Sequence, residues 1–216
     1  MKAVDLSWQY SKDIRVFEGG ETPVFRKEGN VNAGDVLELT YLDSFCVHYG
    51  THMDCPGHFI KCGFHVGDKP AGFFVGEGIV IDCSGYKEGT KYGMEVLEGV
   101  DLAGIEFLLF YINWAKNWGK PEQYGPYPVM NEELTRHIAN HPGIKGIGVE
   151  TNAVDLPGDP EFPIHHNFLK NNNRIIYEAL TNLDQLLGKR FTFVGLPLNI
   201  ECAEGSPVRA AAFIND

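Results

Sequence analysis

The chain has 216 residues, 44% of them apolar, and its 18 basic and 29 acidic side chains give a net charge of −11. This length and apolar content suit one domain with a substantial core, so we expect residues 1–216 to form a single domain. Its acidity repels phosphate backbones and provides no basic stripe, which argues against nucleic-acid binding.

The sequence also lacks the signals of export and membrane insertion. No basic region precedes a long apolar run near residue 1, and no stretch reaches the roughly eighteen apolar residues of a membrane span. The five cysteines form no C-x-x-C motif, and an odd number cannot all pair within one chain. We therefore expect a cytoplasmic protein with reduced thiols and without a membrane partner.

Apolar runs bounded by glycine or polar clusters predict seven strands. In chain order they are Ala3 to Leu6, Val36 to Tyr41, Gly78 to Asp82, Phe107 to Ile112, Ile144 to Val149, Arg174 to Tyr177 and Phe191 to Leu196. The run from Phe107 to Ile112 has the continuous apolar character of a strand buried on both faces.

Helical signals are fewer. Residues Asn131 to Ala139 have a helical pattern, with Glu132 and Glu133 in the first turn, where carboxylates interact favourably with the helix dipole. Thr181 and Asp184 are spaced like a capping box that opens a short helix, which Gly188 can end. Because strands outnumber helices, the pattern predicts an α/β or α+β domain.

One segment concentrates metal-binding side chains, namely His48, His52, Asp54 and His58. An extended strand would separate His48 from His52 by roughly 13 Å, whereas two ligands of one ion lie within roughly 4 Å of each other. The chain must therefore reverse between them, and Gly50 lies where a positive φ can be adopted. Lone histidines are usually structural, but imidazoles grouped with a carboxylate suit zinc, manganese or iron. The segment predicts a divalent metal site.

A second region places His165 and His166 ahead of Glu178. Glu178 falls where the predicted strand Arg174 to Tyr177 ends, and such junctions often present functional side chains. A glutamate there more often faces solvent, so residue types alone do not select it.

The segment resembles the cyclase and metal-dependent hydrolase family that includes bacterial kynurenine formamidase and isatin hydrolase. Its signature, H-x-G-T-H-x-D-x-P-x-H, is met by His48, Gly50, Thr51, His52, Asp54, Pro56 and His58. The resemblance continues through Asp5-Leu6-Ser7, Trp114, Trp118, Leu196-Pro-Leu198 and Gly205-Ser-Pro-Val-Arg209, almost the whole chain. It implies a swivelling β/β/α fold, a single α/β domain with a mixed sheet and few helices.

The resemblance implies a ligand set for one or two zinc or manganese ions. His48, His52 and Asp54 would hold the first ion, and Asp54 would bridge to a second ion held by His166 and Glu178. The family places a histidine twelve residues before the glutamate, a spacing that selects His166 over His165. The remaining histidine of the signature, His58, would serve as general base and then general acid, or would ligate the second ion.

The implied activity is hydrolysis of an amide-type carbonyl bond, with a metal that polarises the carbonyl and lowers the pKa of a bound water to about 7. The leading substrate is an aryl formamide such as N-formylkynurenine, and a cyclic amide or lactone is the alternative. Asn113, Ala179 and Glu204 stand where the family usually has glycine, asparagine and aspartate, which weakens the transfer of a substrate.

Other interpretations remain open. Cys55 is a candidate nucleophile with His52 or His58 as its base, and a metal-stabilised binding protein without activity is a non-catalytic alternative. The resemblance also implies a homodimer or homotetramer. Six aromatic residues are candidates for a pocket lining, although most aromatic residues belong to cores. They are Phe59, Phe64, Phe73, Phe74, Trp114 and Trp118.

Overall fold

The structure is a computed structural model that describes residues 1–17 and 19–214. Over these residues the chain forms thirteen strands and two α-helices, joined by loops and 3-10 turns. The strands are β1 Lys2–Asp5, β2 Val24–Glu28, β3 Leu39–Asp43, β4 His52–Asp54, β5 Val75–Asp82, β6 Lys91–Tyr92, β7 Phe107–Tyr111, β8 Val129–Met130, β9 Gly146–Val149, β10 Ile175–Glu178, β11 Arg190–Val194, β12 Gly205–Pro207 and β13 Ala211–Ile214. The helices are α1 Glu132–Asn140 and α2 Pro163–Leu169.

Nine of these strands form one mixed sheet in the order β1-β13-β11-β5-β7-β9-β10-β4-β12. The four central strands β5, β7, β9 and β10 are parallel. The strands on both flanks pair antiparallel to their neighbours. With two helices among the described residues, this architecture confirms the predicted α/β class with a mixed sheet and few helices.

The sheet separates two apolar cores. Leu108 and Phe110 of β7 face a core that also contains apolar side chains of α1 and α2. Phe107 and Leu109 of the same strand face the opposite core. All four side chains are fully buried, which confirms the prediction for this run, and burial of each such side chain stabilises the fold by roughly 1.5–3 kcal/mol.

An arm formed by β2 and β3 lies outside the large sheet. Its two strands pair from Val24 opposite Asp43 to Glu28 opposite Leu39, so the predicted strand Val36 to Tyr41 is displaced towards the C-terminus. Residues 29–38 connect the two strands and include Gly34 at φ +99°. Val36 is 99% exposed, and several other apolar side chains of the arm are exposed, namely Val24, Val31, Leu37, Leu39, Tyr41 and Leu42.

The other predicted strands are present, with ends shifted by up to three residues. The predicted helix at Asn131 is confirmed as α1. Asn131 caps its N-terminus, since its Oδ1 accepts a hydrogen bond from the Leu134 amide at 2.8 Å. The prediction of a capping box at Thr181 is wrong. Asn182, at φ +58°, precedes a 3-10 turn Leu183–Leu186 without a side-chain cap. The Thr181 amide instead donates to the Leu6 carbonyl oxygen, which ties the segment to the chain after β1.

Helix α2 has no counterpart among the predicted elements. It is seven residues long and begins with Pro163, so its sequence offers less than two full turns of periodicity. Across residues 1–17 and 19–214, neither helix has the length and apolar character that a membrane crossing requires.

Candidate metal centre

The centre is built on the pairing of β4 with β10. His52 lies opposite Glu178, and Asp54 lies opposite Ile176, in an antiparallel register. Since alternate residues of a strand share a face, His52, Asp54 and Glu178 project to the same side of the sheet. Met53, between the two ligand candidates, packs in the opposite core. The register alone therefore brings two carboxylates and an imidazole together.

Helix α2 adds a second imidazole to this group. The Nε2 atom of His165 lies 3.4 Å from Asp54 Oδ2 and 3.2 Å from Glu178 Oε1. His166 is exposed, and its ring contacts Phe59 rather than the carboxylates. Successive helical residues point about 100° apart, so only one of the two histidines can face the sheet. The structure thus corrects the assignment based on the twelve-residue spacing: His165, and not His166, joins the cluster.

The spacing of the facing atoms resembles a coordination shell. His52 Nε2 lies 3.5 Å from Asp54 Oδ1 and 3.4 Å from Glu178 Oε2, and the two contacts of His165 Nε2 are 3.4 and 3.2 Å. These separations exceed the usual 2.9 Å of an N–H···O hydrogen bond. Each is close to the roughly 3.4 Å that separates two ligands of one tetrahedral ion. His52 faces Asp54 Oδ1 and Glu178 Oε2, and His165 faces the other oxygen of each carboxylate.

Asp54 also belongs to a second group, with His48 and His58. The ligand atoms of His48, Asp54 and His58 lie within 4.8 Å of one another, as do those of His52, Asp54 and Glu178. His48 Nδ1 is 2.8 Å from Asp54 Oδ1, and its Nε2 is 3.2 Å from Glu204 Oε1. Asp54 joins the two groups, since His48 Nδ1 and His52 Nε2 lie 2.8 and 3.5 Å from the same oxygen, Asp54 Oδ1. That His48 and His52 share one ion therefore stays a prediction.

Backbone geometry orients His52. Gly50 has φ +70°, which confirms the predicted reversal of the chain between His48 and His52. The Gly50 carbonyl oxygen lies 2.8 Å from His52 Nδ1, so this ring nitrogen donates. The Nε2 lone pair then faces Asp54 and Glu178. This is the tautomer in which His52 can bind a metal through Nε2.

Hydrogen bonds and charge interactions between the carboxylates and the imidazoles shift the pKa values of both. Burial alone would raise the pKa of Asp54, but hydrogen bonds from His165 and His48 hold it well below its usual range. Burial lowers the pKa of His48, yet the hydrogen bond and charge of Asp54, the hydrogen bond of Glu204 and the charge of Glu178 outweigh it and raise the pKa to about 9. The cluster favours cationic partners for its carboxylates.

His58 has a different environment at the exposed edge of the cluster. Its ring stacks on the His48 ring with centroids 4.0 Å apart. Burial, helped by the nearby rings of His48 and His165, lowers the pKa of His58, although the charge of Asp54 opposes this. Its imidazole is therefore neutral at pH 7 and able to accept a proton.

The donor set fits a divalent metal. Asp54 and Glu178 are 1% and 3% exposed, and among the described ion pairs neither has a lysine or arginine partner. Two buried carboxylates without a fixed cation are costly, and a bound cation would remove that cost. Imidazole nitrogen and carboxylate oxygen are ligands that zinc and manganese accept.

Cys55 does not share this environment. The residue is fully buried, and its Sγ lies 3.9 Å from the sulfur of Met53 on the other side of the sheet. Burial raises the pKa of its thiol far above neutrality, so a reactive thiolate is not available. The thiol is a core side chain, which removes the support for a cysteine nucleophile.

Two departures from the family pattern occupy left-handed backbone. Asn113 has φ +56°, a conformation that glycine adopts freely and asparagine tolerates. Ala179, directly after Glu178, has φ +51° and is fully buried. Its carbonyl oxygen accepts a hydrogen bond from Thr51 Oγ1 at 2.7 Å, which links the residue after one ligand candidate to the residue before another.

Aromatic rings cover one side of the cluster. Phe59 stacks on His165 with centroids 4.4 Å apart, and Phe162 lies 5.3 Å from Phe59. Of the six aromatic candidates, Phe59 is the one whose ring contacts the cluster histidines among the described ring pairs. Trp114 belongs to the core, and Trp118 stacks on Trp8. Phe162, 39% exposed, carried no signal that singled it out in the sequence.

Comparison with known proteins identifies relatives over nearly the whole chain. A family model described as a cyclase matches residues 4–156, which include the segment from His48 to His58. Kynurenine formamidase of Geobacillus thermodenitrificans is 30% identical over 96% of this chain and 95% of its own. Kynurenine formamidase of Bacillus anthracis is 32% identical over 97% of this chain and 96% of its own.

Two solved structures show the same fold. Isatin hydrolase A from Labrenzia aggregata, bound to benzyl benzoate, has a TM-score of 0.84 at 24% identity and covers 100% of this chain and 94% of its own. A potential metal-dependent hydrolase with cyclase activity has a TM-score of 0.77 at 20% identity, with 99% of each chain covered. These likenesses confirm the cyclase-like fold that the sequence implied.

Substitution of His165 and His166 tests the corrected assignment. We expect His165→Ala to lose bound zinc, because its Nε2 faces both carboxylates, whereas the neighbouring His166→Ala retains it. The measurement is zinc per chain by elemental analysis after dialysis at pH 7.5, with His166→Ala as the matched control. Loss of zinc from His166→Ala alone would reverse the assignment.

The raised pKa of His48 predicts a pH-dependent stability for protein stripped of metal by a chelator. The folded state keeps a proton up to about pH 9, whereas the unfolded chain releases it near pH 6.5. The stabilisation is complete below pH 6.5 and is lost as the pH rises to 9, with an upper bound of about 3 kcal/mol. Urea unfolding at pH 6, 7.5 and 9 should show this fall. The decrease in the free energy of unfolding with rising pH should be smaller in His48→Gln. A wild type whose free energy of unfolding does not change with pH would contradict the expectation.

Proposed function

Because this chain belongs to the cyclase family of metal-dependent hydrolases, we propose that it is an arylformamidase that hydrolyses N-formylkynurenine or a similar aryl formamide. The observation that carries the proposal is the pair of ligand groups joined at Asp54, one of which includes the exposed His58. Relatives named kynurenine formamidase, about 30% identical over nearly the full length, support the choice of substrate.

In this proposal, His52, Asp54, Glu178 and His165 hold one divalent ion, zinc or manganese. A second ion would be held by His48 and Asp54 of the other group, which leaves its third member, His58, for proton transfer. A bound divalent ion supplies polarisation of the formyl carbonyl and a water of lowered pKa. The Val154 amide donates to Glu178 Oε1 at 2.9 Å and fixes the orientation of that carboxylate.

His58 is the candidate for proton transfer. It is the histidine of the cluster at the exposed edge, and its lowered pKa leaves the ring neutral at pH 7. A neutral imidazole accepts a proton from the attacking water and returns it to the arylamine leaving group. Cleavage of the formyl C–N bond then yields formate and the free amine.

The aromatic side of the cluster supports an aryl substrate. Phe59 lies against His165, and the partly exposed ring of Phe162 extends this surface outward. Aromatic rings stack with centroids 4.5–7 Å apart, so an aryl group held here would keep its formyl substituent close to the cluster. An aliphatic formamide would lack this contact.

Formate release from N-formylkynurenine tests the proposal. We expect turnover by protein loaded with zinc or manganese, and a decrease of roughly 10² to 10⁴-fold in His58→Ala with metal content retained. His65→Ala is the matched control, since His65 lies outside both ligand groups. Loss of metal together with activity in His58→Ala would make His58 a ligand rather than a proton carrier.

Other results would redirect the function. No formate release from fully loaded protein would contradict the arylformamidase proposal and move cyclic amides and lactones to the head of the substrate list. Absence of hydrolysis across such a panel, with a melting temperature that still depends on metal, would indicate a metal-stabilised binding protein.

We also propose that the protein is a homodimer or homotetramer. The exposed apolar side chains of the arm support this, because monomers rarely expose large contiguous apolar patches. Light scattering at micromolar concentration should give the mass of two or four chains. The double variant Leu37→Asp and Leu42→Asp should shift the mass towards one chain, and a wild-type mass of one chain would defeat the proposal.

A further inference from the structure

Asp155 is a buried carboxylate that lies behind the metal centre, in the loop between β9 and α2. It is 1% exposed, and its hydrogen bonds account for both of its oxygens. Oδ1 accepts from the Ile164 amide at 2.7 Å, and Oδ2 accepts from the His165 amide at 3.1 Å. Oδ2 also lies 2.6 Å from His165 Nδ1.

These contacts determine which ring nitrogen of His165 carries the proton. Both amides can only donate, so both oxygens of Asp155 act as acceptors. The ring contact is then an Nδ1–H donor to Oδ2. In the neutral ring, the form that binds a metal, the lone pair of His165 is therefore on Nε2, which faces Asp54 and Glu178.

Asp155 also replaces the cap that α2 lacks. The residue before the helix, Phe162, is in the left-handed conformation at φ 43° and provides no side-chain cap, and Pro163 has no amide to donate. The first two free amides of the helix belong to Ile164 and His165, and Asp155 binds both. One carboxylate therefore sets where the helix begins and which way the His165 ring points.

We propose that Asp155 is a positioning residue that holds His165 as a metal ligand in its Nε2 lone-pair tautomer. This inference rests on the proposed metal-dependent function, since it assumes that His165 ligates the ion. The Nδ1–H of His52 donates to a neutral acceptor instead, the Gly50 carbonyl oxygen. A carboxylate acceptor makes an imidazole a stronger ligand than a carbonyl does, so His165 is the more basic ligand of the two.

The substitution Asp155→Asn removes the acceptor from one of the two oxygen positions. An amide group offers one acceptor and one donor, and either orientation places its NH₂ against a group that donates in the wild type. With NH₂ at the Oδ2 position, His165 must accept at Nδ1 and carry its proton on Nε2, where it blocks a metal. We expect zinc affinity, measured by competition with a chromogenic chelator, to fall roughly 10- to 100-fold.

Glu150→Gln is the matched control for a purely structural role. Glu150 is also buried, at 3% exposed, and its carboxylate accepts from the amides of Ile112 and Trp114 at 2.8 and 3.1 Å. None of its described hydrogen bonds involves a histidine. We expect this variant to lose stability and keep the zinc affinity of the wild type. An equal loss of affinity in both variants would reduce Asp155 to a structural residue and overturn the proposal.

Nitrogen-15 spectra of histidine-labelled, zinc-loaded protein read directly which ring nitrogen carries the proton and need no activity. We expect the His165 signals, assigned by their absence from His165→Ala, to report a protonated Nδ1 in the wild type. An Nε2–H tautomer in the wild type would overturn the proposal even if Asp155→Asn failed to fold. Unchanged zinc affinity in His165→Ala would instead refute the ligand set on which the proposed function depends. Reduced affinity in His165→Ala with unchanged affinity in Asp155→Asn would refute only the role of Asp155.

Discussion

The pairing of β4 with β10 is the constraint on which the rest of the centre depends. It places Glu178 directly opposite His52 and puts Asp54 two residues along on the same face, so two carboxylates are buried side by side. Charges removed from water in this way are costly unless they are paired and hydrogen-bonded. The surrounding elements meet this requirement with imidazoles and backbone amides: α2 contributes His165, the turn at Gly50 orients His52, and the Val154 amide binds Glu178.

The same arrangement explains how the two sides of each imidazole are used. The outer nitrogens of His52 and His165 are bound to a carbonyl and to a carboxylate, and their inner nitrogens face Asp54 and Glu178 at separations typical of a coordination shell. His58 is free of such a hydrogen bond among the described contacts and lies at the exposed edge, where a mobile proton is useful. Fixed ligands inside and an exposed imidazole outside form the combination that metal-assisted hydrolysis needs.

The sequence predicted much of this and failed where tertiary contacts decide. The segment from His48 to His58 could be identified because four candidate metal-binding side chains fall within eleven residues, and Gly50 marked the turn. The twelve-residue spacing selected His166, whereas the structure places His165 in the cluster, because the choice depends on where a short helix begins and on its capping by Asp155 from the preceding loop. The displaced strand at Val36 failed for another reason: the pairing register with β2, and not local apolarity, determines where β3 begins. Asp155 itself lies in a polar loop with no recognisable pattern.

The most direct test of the shared role of Asp54 is the position of the metal itself. Crystals of zinc-loaded protein, measured at the zinc absorption edge, would show each ion as an anomalous difference peak. We predict a peak about 2.0–2.2 Å from His52 Nε2, His165 Nε2 and an oxygen of both Asp54 and Glu178. A peak bound by His166, or by ligands that exclude Asp54, would contradict the account of this centre.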